Sequence, residues 1–292
     1  MGSDVSDFSV EWLALRESAD LTARAPELMA RVVQWSGLHA HISVVDLGAG
    51  TGSCLRALAP RILSRQTWRL VDHSGALLEE ANTRLAAWAA LRGLSVHKAL
   101  SCWRAEGENA DYKIIFEERD LANGFDNIAP VVDLVTVSAL LDLVSADWCR
   151  ALARWCSITG ANLYACLNYD GQFYFTPSHP DDIAVCDVIN RHQGNNKGLG
   201  PALGAGAVGV LLKELAAVGY RYLTAPSPWL LNPSSSVLQA ALVRDWSELA
   251  REESRANAEK ALYWRNFRLD AIEAGQSSLK VGHVDLWAWP ER

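Results

Sequence analysis

One acid and three glycines alternate at Asp46, Gly48, Gly50 and Gly52, in the order D-x-G-x-G-x-G. A short β-branched apolar run precedes them and an Ala/Leu-rich pattern follows, which predicts a strand, a tight turn and a helix. Glycine adopts backbone angles that a Cβ forbids, so a ligand can lie directly against the main chain. A helix that starts near Ser53 would add backbone N–H groups for a carboxylate or phosphate. The stretch therefore predicts a site for a nucleotide-like ligand.

The spacing of the glycines distinguishes between nucleotide ligands. A dinucleotide fingerprint reads G-x-G-x-x-G, and Ser53 stands where its third glycine would be. The observed order instead resembles motif I of the class I S-adenosylmethionine-dependent methyltransferases. The resemblance implies S-adenosyl-L-methionine as cofactor, bound by Asp46, Gly48, Ala49, Gly50 and Gly52. Glycines in such a turn can also serve turn geometry alone.

Acids at the ends of two further strands fit the same site. Asp72 ends the segment TWRLVD, about one βαβ unit after the glycines, where a carboxylate can accept hydrogen bonds from both ribose hydroxyls. The position also resembles motif II, with His73 beside it, although an Asp there could simply cap the following helix. The resemblance further implies that Asp120, next to Leu121, binds the adenine amine. Asp120 could equally be an ordinary loop residue.

The segment VVDLVTVS, which ends at Ser138, is almost continuously apolar, as a parallel strand buried on both faces should be. It resembles the motif IV strand, and the resemblance places Ser138 and Asp142 nearest the transferable methyl group. Asp142 could instead begin the next helix or turn the loop. Three residues are candidates for the general base, in the order His192, Asp142 and Asp170. A lone histidine is more often structural.

Arg16, Asp20 and Arg24 lie four residues apart in the N-terminal helical pattern, which stacks them on one face. One interpretation is a solvated ladder of ion pairs. The other is that the leading helices cover the cofactor and that Arg16 or Arg24 meets its carboxylate.

Composition limits the partners. The formal net charge is −7 and no dense run of lysines and arginines occurs, which argues against nucleic acid and anionic membranes. Six cysteines are scattered without a C-x-x-C pair, so no metal site is expected. No signal peptide or membrane-length apolar run is present, which favours the cytoplasm. A small-molecule methyl acceptor is therefore expected as partner, and a homodimer is a possible assembly.

The order of patterns predicts an α/β fold, and the resemblance implies a Rossmann-like, seven-stranded, mostly parallel sheet with helices on both faces and the last strand antiparallel. Residues 1–40 would form an N-terminal helical cap, and residues 41–292 the methyltransferase core. Substrate-side insertions are expected at about 168–206 and 232–278. The segment NYDGQFYFTPSHPDD is interpreted as irregular.

The function implied is methyl transfer from S-adenosylmethionine to an oxygen or nitrogen of a small molecule by in-line attack. Neither a [DNS]-P-P-[FYW] motif nor a Pro-Cys nucleophile occurs, which argues against nucleobase acceptors. Two alternatives are a non-catalytic protein that binds S-adenosylmethionine or S-adenosylhomocysteine, and a nucleotide-dependent oxidoreductase.

Overall fold

The computed structural model describes residues 8–98, 102–108, 110–196, 198–253 and 258–291. The strands are β1 (His41–Leu47), β2 (Arg65–Asp72), β3 (Ser95–Lys98), β4 (Cys102–Gly107), β5 (Ala110–Glu118), β6 (Leu134–Ser138), β7 (Asn162–Thr176), β8 (Tyr220–Pro226), β9 (Trp229–Leu231) and β10 (Ser278–Pro290). The helices are α1 (Val10–Ala23), α2 (Pro26–Ser36), α3 (Ser53–Leu58), α4 (Gly75–Leu91), α5 (Ala146–Thr159), α6 (Asp182–Gln193), α7 (Ala207–Ala217), α8 (Ser236–Glu253) and α9 (Ala258–Glu273).

The strands form one sheet in the order β3-β4-β5-β2-β1-β6-β7-β10-β8, with β9 paired to β10. The five central strands, from β5 to β7, run parallel. The long C-terminal strand β10 inserts antiparallel between β7 and β8. The carboxyl ends of β1, β2, β5 and β6 therefore meet at one edge of the sheet, where α/β folds bind their ligands.

The predicted Rossmann-like fold is confirmed, but the described residues form ten strands rather than seven. The antiparallel pair β3 and β4 extends the sheet beyond β5. In β4 the buried side chains of Trp103 and Ala105 alternate with the exposed Arg104, which is the pattern of a half-covered strand. The third addition, β9, pairs with residues 279–281 of β10.

Helices cover both faces of the sheet, as the side-chain alternation of β1 shows. Val44 packs into a cluster with residues of α2, α3 and α4, whereas its neighbour Val45 packs into a cluster with residues of α5 and α7. Successive strand residues point to opposite faces, so one strand contributes to both cores.

The predicted irregular segment after the fifth parallel strand is wrong for its first part, because residues 168–176 continue β7. Beyond Asp170 the buried Phe173 and Phe175 alternate with exposed neighbours and pair with β10. Their rings form a third core with α6, α8 and α9, in which Phe173 stacks on Trp246 at 4.4 Å between ring centroids. The polar residues around Asp170 obscured the alternating pattern of this strand in the sequence.

Across the described part of the chain, we find no helix with both the length and the apolar character needed to cross a membrane.

Candidate active site

A cavity of about 450 Å³ opens at the carboxyl edge of the sheet. This volume is in the range of pockets that hold one drug-sized molecule. Every predicted cofactor-binding residue except Arg24 and Gly52 lines it. The lining comprises Phe8, Leu13, Arg16, Asp20, Asp46, Gly48, Ala49, Gly50, Thr51, Ser53, Cys54, Asp72, His73, Leu77, Asp120, Leu121, Ser138, Ala139, Leu140, Leu143, Gly198 and Leu199.

The glycine loop forms one wall of the cavity. Gly48 and Gly50 have φ of 66° and 52°, and a Cβ on Gly48 would lie 2.9 Å from Leu140. The N–H groups of Gly48 and Ala49 both donate to the Val71 carbonyl, and the N–H of Gly50 donates to the Asp72 carboxylate. Because these three donors are used within the protein, this part of the loop offers a ligand close approach to bare backbone.

Gly50→Ala tests this close approach. We expect it to lower the free energy of unfolding by about 1–2 kcal/mol, because a side chain at positive φ is strained. Its Cβ would also lie 3.3 Å from Leu13, the α1 side chain over the loop. Calorimetric titration should show at least about tenfold weaker cofactor binding. Gly160→Ala is the control, since Gly160 has φ of 69° and open space around it, far from the loop in sequence. Equal cofactor affinity in the two variants would contradict a ligand-facing loop.

Asp72, at the end of β2, forms a hydrogen bond with the glycine loop. Its Oδ2 accepts the Gly50 N–H at 2.8 Å, and its Oδ1 accepts the Ser74 N–H at 3.0 Å. The carboxylate is 4 % exposed, and His73 lies beside it with Nδ1 3.3 Å from Oδ1. Each carboxylate oxygen accepts more than one hydrogen bond, so Asp72 can still accept from a ligand's hydroxyl groups. The N-cap of α4 is Ser74, whose hydroxyl accepts the Leu77 N–H, so the interpretation of Asp72 as the helix cap is wrong.

Asp120 lies at the far end of the cavity, next to the buried Leu121. Its carboxylate accepts the Ala122 N–H at 2.8 Å and caps the short 3₁₀ turn of residues 121–123. The carboxylate is exposed, and Leu121 provides an apolar surface beside it. This pair suits a flat polar ring, which agrees with the adenine role that the resemblance implies.

Asp46 is the most deeply buried acid of the cavity lining, at 1 % exposure. Thr136 donates to its Oδ1 at 2.7 Å, whereas Oδ2 is buried without a partner in the described structure. Burial raises the pKa of Asp46 to about 6, against the lowering effects of the Thr136 hydroxyl and the Arg24 charge. A buried carboxylate oxygen with no donor is suited to a cationic ligand group.

Arg24 and Ser138 form a hydrogen-bonded pair at the edge of the cavity. Arg24 donates to Ser138 Oγ at 3.1 Å and to the Cys166 sulfur. Ser138 lines the cavity whereas Arg24 does not, so the structure places Arg24 under the floor of the site. A direct contact of Arg24 with a cofactor stays a prediction. Gly52 is also outside the lining and is the N-cap of α3, with φ of 77°.

Arg16 and Asp20 are buried, at 9 % and 7 % exposure, so the interpretation as a solvated ladder is wrong. Arg16 donates to Asp20 through Nε at 2.9 Å and Nη2 at 3.1 Å, and both residues line the cavity. The covering role that the sequence suggested for the leading helix fits this placement, with Arg16 rather than Arg24 at the cavity.

The three predicted general bases are not among the residues that line the cavity. Asp142 lies in the short turn 141–143, between the lining residues Leu140 and Leu143. Asp170 is exposed on β7, and His192 is half-buried in the last turn of α6. They lie in elements on the β7 side of the cavity, and their roles stay predictions.

Leu140, Leu143, Gly198 and Leu199 form an apolar part of the cavity lining. Leu199 pairs with Val144 in a short parallel bridge, which brings the glycine-rich link to the cavity. This link lies within the substrate-side insertion predicted at about 168–206, but its leucines were not among the predicted site residues.

The lining residues fit S-adenosylmethionine. The glycine cradle excludes a Cβ, Asp72 can accept from vicinal hydroxyls, and the unpartnered Asp46 Oδ2 suits an ammonium group.

Comparison with known proteins agrees with this geometry. The family model described as Protein-L-isoaspartate(D-aspartate) O-methyltransferase (PCMT) matches residues 7–155. That range contains the glycine loop, Asp72, Asp120 and Ser138, and it stops before β7. No curated protein sequence matches the chain.

Several solved structures are similar over nearly the whole chain at low sequence identity. A SAM-dependent methyltransferase from Thiobacillus denitrificans in complex with S-adenosyl-L-homocysteine is 16 % identical, covers 98 % of this chain and 100 % of its own, and has a TM-score of 0.46. One from Geobacter sulfurreducens, also in complex with S-adenosyl-L-homocysteine, is 14 % identical with coverages of 98 % and 100 % and a TM-score of 0.46. A putative sarcosine dimethylglycine methyltransferase from Galdieria sulphuraria is 14 % identical with coverages of 94 % and 96 % and a TM-score of 0.45.

Proposed function

The chain belongs to the protein-L-isoaspartate(D-aspartate) O-methyltransferase (PCMT) family and is a class I S-adenosylmethionine-dependent methyltransferase, and we propose that its acceptor is an oxygen or nitrogen of a small molecule. S-adenosylmethionine is its cofactor. The family match ends at residue 155, before β7 and the helices α6, α8 and α9. The acceptor named in the family's description therefore does not carry over to this chain by itself.

The shape of the cavity supports a small acceptor and is the observation that carries the proposal. Leu13 and Arg16 of α1 line one side of it, and Leu199 with the turn at Leu140 and Leu143 lines the other. A volume of about 450 Å³ is suited to one drug-sized molecule, which supports an acceptor of small size. The apolar side chains of Leu140, Leu143 and Leu199 would limit the access of water to a bound acceptor.

The chain's residues would hold the cofactor along the edge of the sheet. Asp72 would accept the ribose hydroxyls, Asp120 and Leu121 would contact the adenine, and Asp46 would face the amino-acid end. When bound, the cofactor supplies an electrophilic methyl group on a sulfonium. The protein must then align the acceptor atom and, for a hydroxyl or ammonium acceptor, remove its proton. His192, Asp142 and Asp170 are our candidates for that base.

Two measurements on the purified chain test this function. Calorimetric titration should show that S-adenosylmethionine and S-adenosylhomocysteine both bind. With S-adenosylmethionine labelled in its methyl group and cell extract, we expect the label in a small molecule of the filtrate that chromatography separates from S-adenosylmethionine itself. Binding of both ligands without any transfer would instead identify a non-catalytic binding protein and contradict the proposal.

Methylation of a protein acceptor is the second candidate, favoured by the family match. An isoaspartyl peptide added to the same assay tests it. Label in that peptide, with none in the filtrate, would replace the small-molecule proposal.

A further inference from the structure

A buried ion pair on the N-terminal helix faces the cofactor cavity. Arg16 and Asp20 are one helical turn apart on α1, and Asp20 accepts two hydrogen bonds from the Arg16 guanidinium. The Nε and Nη2 atoms of Arg16 donate to Asp20, whereas Nη1 donates no hydrogen bond to that carboxylate. Arg16 and Asp20 are 9 % and 7 % exposed, and both line the cavity.

A residue from the far end of the chain fixes this pair. The Trp229 indole N–H donates to Asp20 Oδ1 at 3.0 Å, and the Arg16 guanidinium lies over the Trp229 ring at 4.9 Å from its centroid. Trp229 is 4 % exposed and belongs to β9, the strand paired with β10. The same indole therefore orients the acid through a hydrogen bond and the guanidinium through a cation–π contact.

The Trp229 ring also has a histidine neighbour, which is uncharged near neutral pH. The His283 ring lies 4.9 Å from the Trp229 ring, and its Nδ1 lies 3.1 Å from the Val281 carbonyl oxygen. Burial lowers the pKa of His283 to about 3, and the charge of Arg16 adds to this, against the effect of the Val281 carbonyl. His283 is therefore neutral near pH 7 and leaves Arg16 as the cation of this wall.

The charges of the wall complement one end of the cofactor. A methionine-type end carries an ammonium and a carboxylate on one carbon, and the wall presents a guanidinium with carboxylates at Asp20 and Asp46. The buried Asp46 Oδ2, which has no partner in the described structure, adds an acceptor for the ammonium. Hydrogen bonds between charged partners in a dry site are the strong ones, so this wall can carry a large share of the binding.

We infer that Arg16 and Asp20 of α1 recognise the zwitterionic amino-acid end of the cofactor, and that Trp229 is the residue that positions them. This inference rests on the proposed function, because it assigns one end of the same ligand. It makes α1 a specificity element, through which the chain distinguishes complete adenosyl amino acids from nucleosides that lack the amino-acid end.

Two stable probes separate this recognition from nucleoside binding. S-adenosylhomocysteine contains the amino-acid end, whereas 5′-methylthioadenosine has the same adenosine and thioether sulfur without it. By calorimetric titration of the full chain, we expect S-adenosylhomocysteine to bind at least about 100-fold more tightly, since two charge-assisted contacts are involved. Arg16→Ala should reduce this ratio to about tenfold or less, with unchanged affinity for 5′-methylthioadenosine.

Trp229→Phe tests the positioning role, because phenylalanine keeps a ring beside Arg16 but removes the N–H that holds Asp20. We expect the affinity ratio to fall by about tenfold. Trp35→Phe is the matched control, since Trp35 lies on α2, outside the cavity lining, and packs on Trp287. The control should keep the ratio of the unmodified chain.

Folding defects are addressed by a paired replacement, Arg16→Met with Asp20→Leu, which removes both buried charges and leaves neither unpaired. It should fold and still show the lowered ratio. An unchanged ratio in this variant, or a parallel loss of both affinities in Trp229→Phe, would overturn the inference while the proposed function stands. If neither probe binds the unmodified chain, the proposed function fails, and the inference that rests on it fails as well.

Discussion

Asp46→Asn is expected to stabilise the ligand-free protein and at the same time to weaken cofactor binding. The rise of the Asp46 pKa from 3.8 to about 6 corresponds to about 3 kcal/mol of unfavourable free energy when the carboxylate is ionised. Asparagine removes that charge and keeps the oxygen that accepts from Thr136. Its unpaired amide costs about 1 kcal/mol, so we expect a net gain of about 2 kcal/mol in the free energy of unfolding at pH 7.

The stability difference between Asp46→Asn and the unmodified chain should depend on pH. Because the pKa is higher in the folded state, the penalty is absent below about pH 4, grows between pH 4 and 6, and is complete above pH 6. Urea unfolding of the two proteins at pH 4 and pH 7 should show that the advantage of Asp46→Asn increases by about 2 kcal/mol. A variant that is less stable than the unmodified chain at pH 7 would contradict the burial argument.

Asp46→Asn should weaken cofactor binding, although it raises the free energy of unfolding. If the ionised Asp46 faces the ammonium of the cofactor, the affinity of the unmodified chain falls about tenfold for each pH unit below 6. Asp46→Asn should bind S-adenosylhomocysteine about tenfold or more weakly at pH 7 and lose this pH dependence. Titrations at pH 5, 6 and 7 provide the measurement.

Asp72→Ala is expected to cause the largest loss of cofactor affinity, about 100-fold or more. The substitution removes the acceptor for two ribose hydroxyls, and it leaves the N–H groups of Gly50 and Ser74 without their partner. Asp120→Ala is the comparison, because Asp120 is an exposed acid at the same edge of the sheet. We expect about tenfold for Asp120→Ala, since solvent competes with its contact. Equal losses in the two variants, measured by calorimetric titration, would show that Asp72 does not grip the ribose.

Local patterns were sufficient for the centre of the fold. The strand before Asp46, the glycine turn and the acid at Asp72 follow one another within the 32 residues from His41 to Asp72, and each has a local physical signature. The structure brings Asp46, Gly48, Gly50 and Asp72 together at one cavity. The carboxyl ends of parallel strands meet at one edge of the sheet, so the sequence alone was sufficient to predict that these residues lie at one site.

The features that the sequence did not predict depend on distant partners. Arg16 and Asp20 are buried because Trp229 packs on them from 209 residues away along the chain, and no local pattern encodes that contact. The extension of β7 past Asp170 depends on its pairing with β10, which turns a polar stretch into sheet. The sequence could not identify the general base among His192, Asp142 and Asp170. None of the three lines the cavity.

The central claim is that the cavity at the carboxyl edge of the sheet holds the adenosyl cofactor. A crystal structure of the chain with S-adenosylhomocysteine tests it most directly. We predict the sugar hydroxyls within hydrogen-bond distance of Asp72, the adenine beside Leu121, and the amino-acid end between Asp46 and Arg16. Density for the ligand in another part of the molecule, or in this cavity with Asp72 turned away from the sugar, would contradict the account.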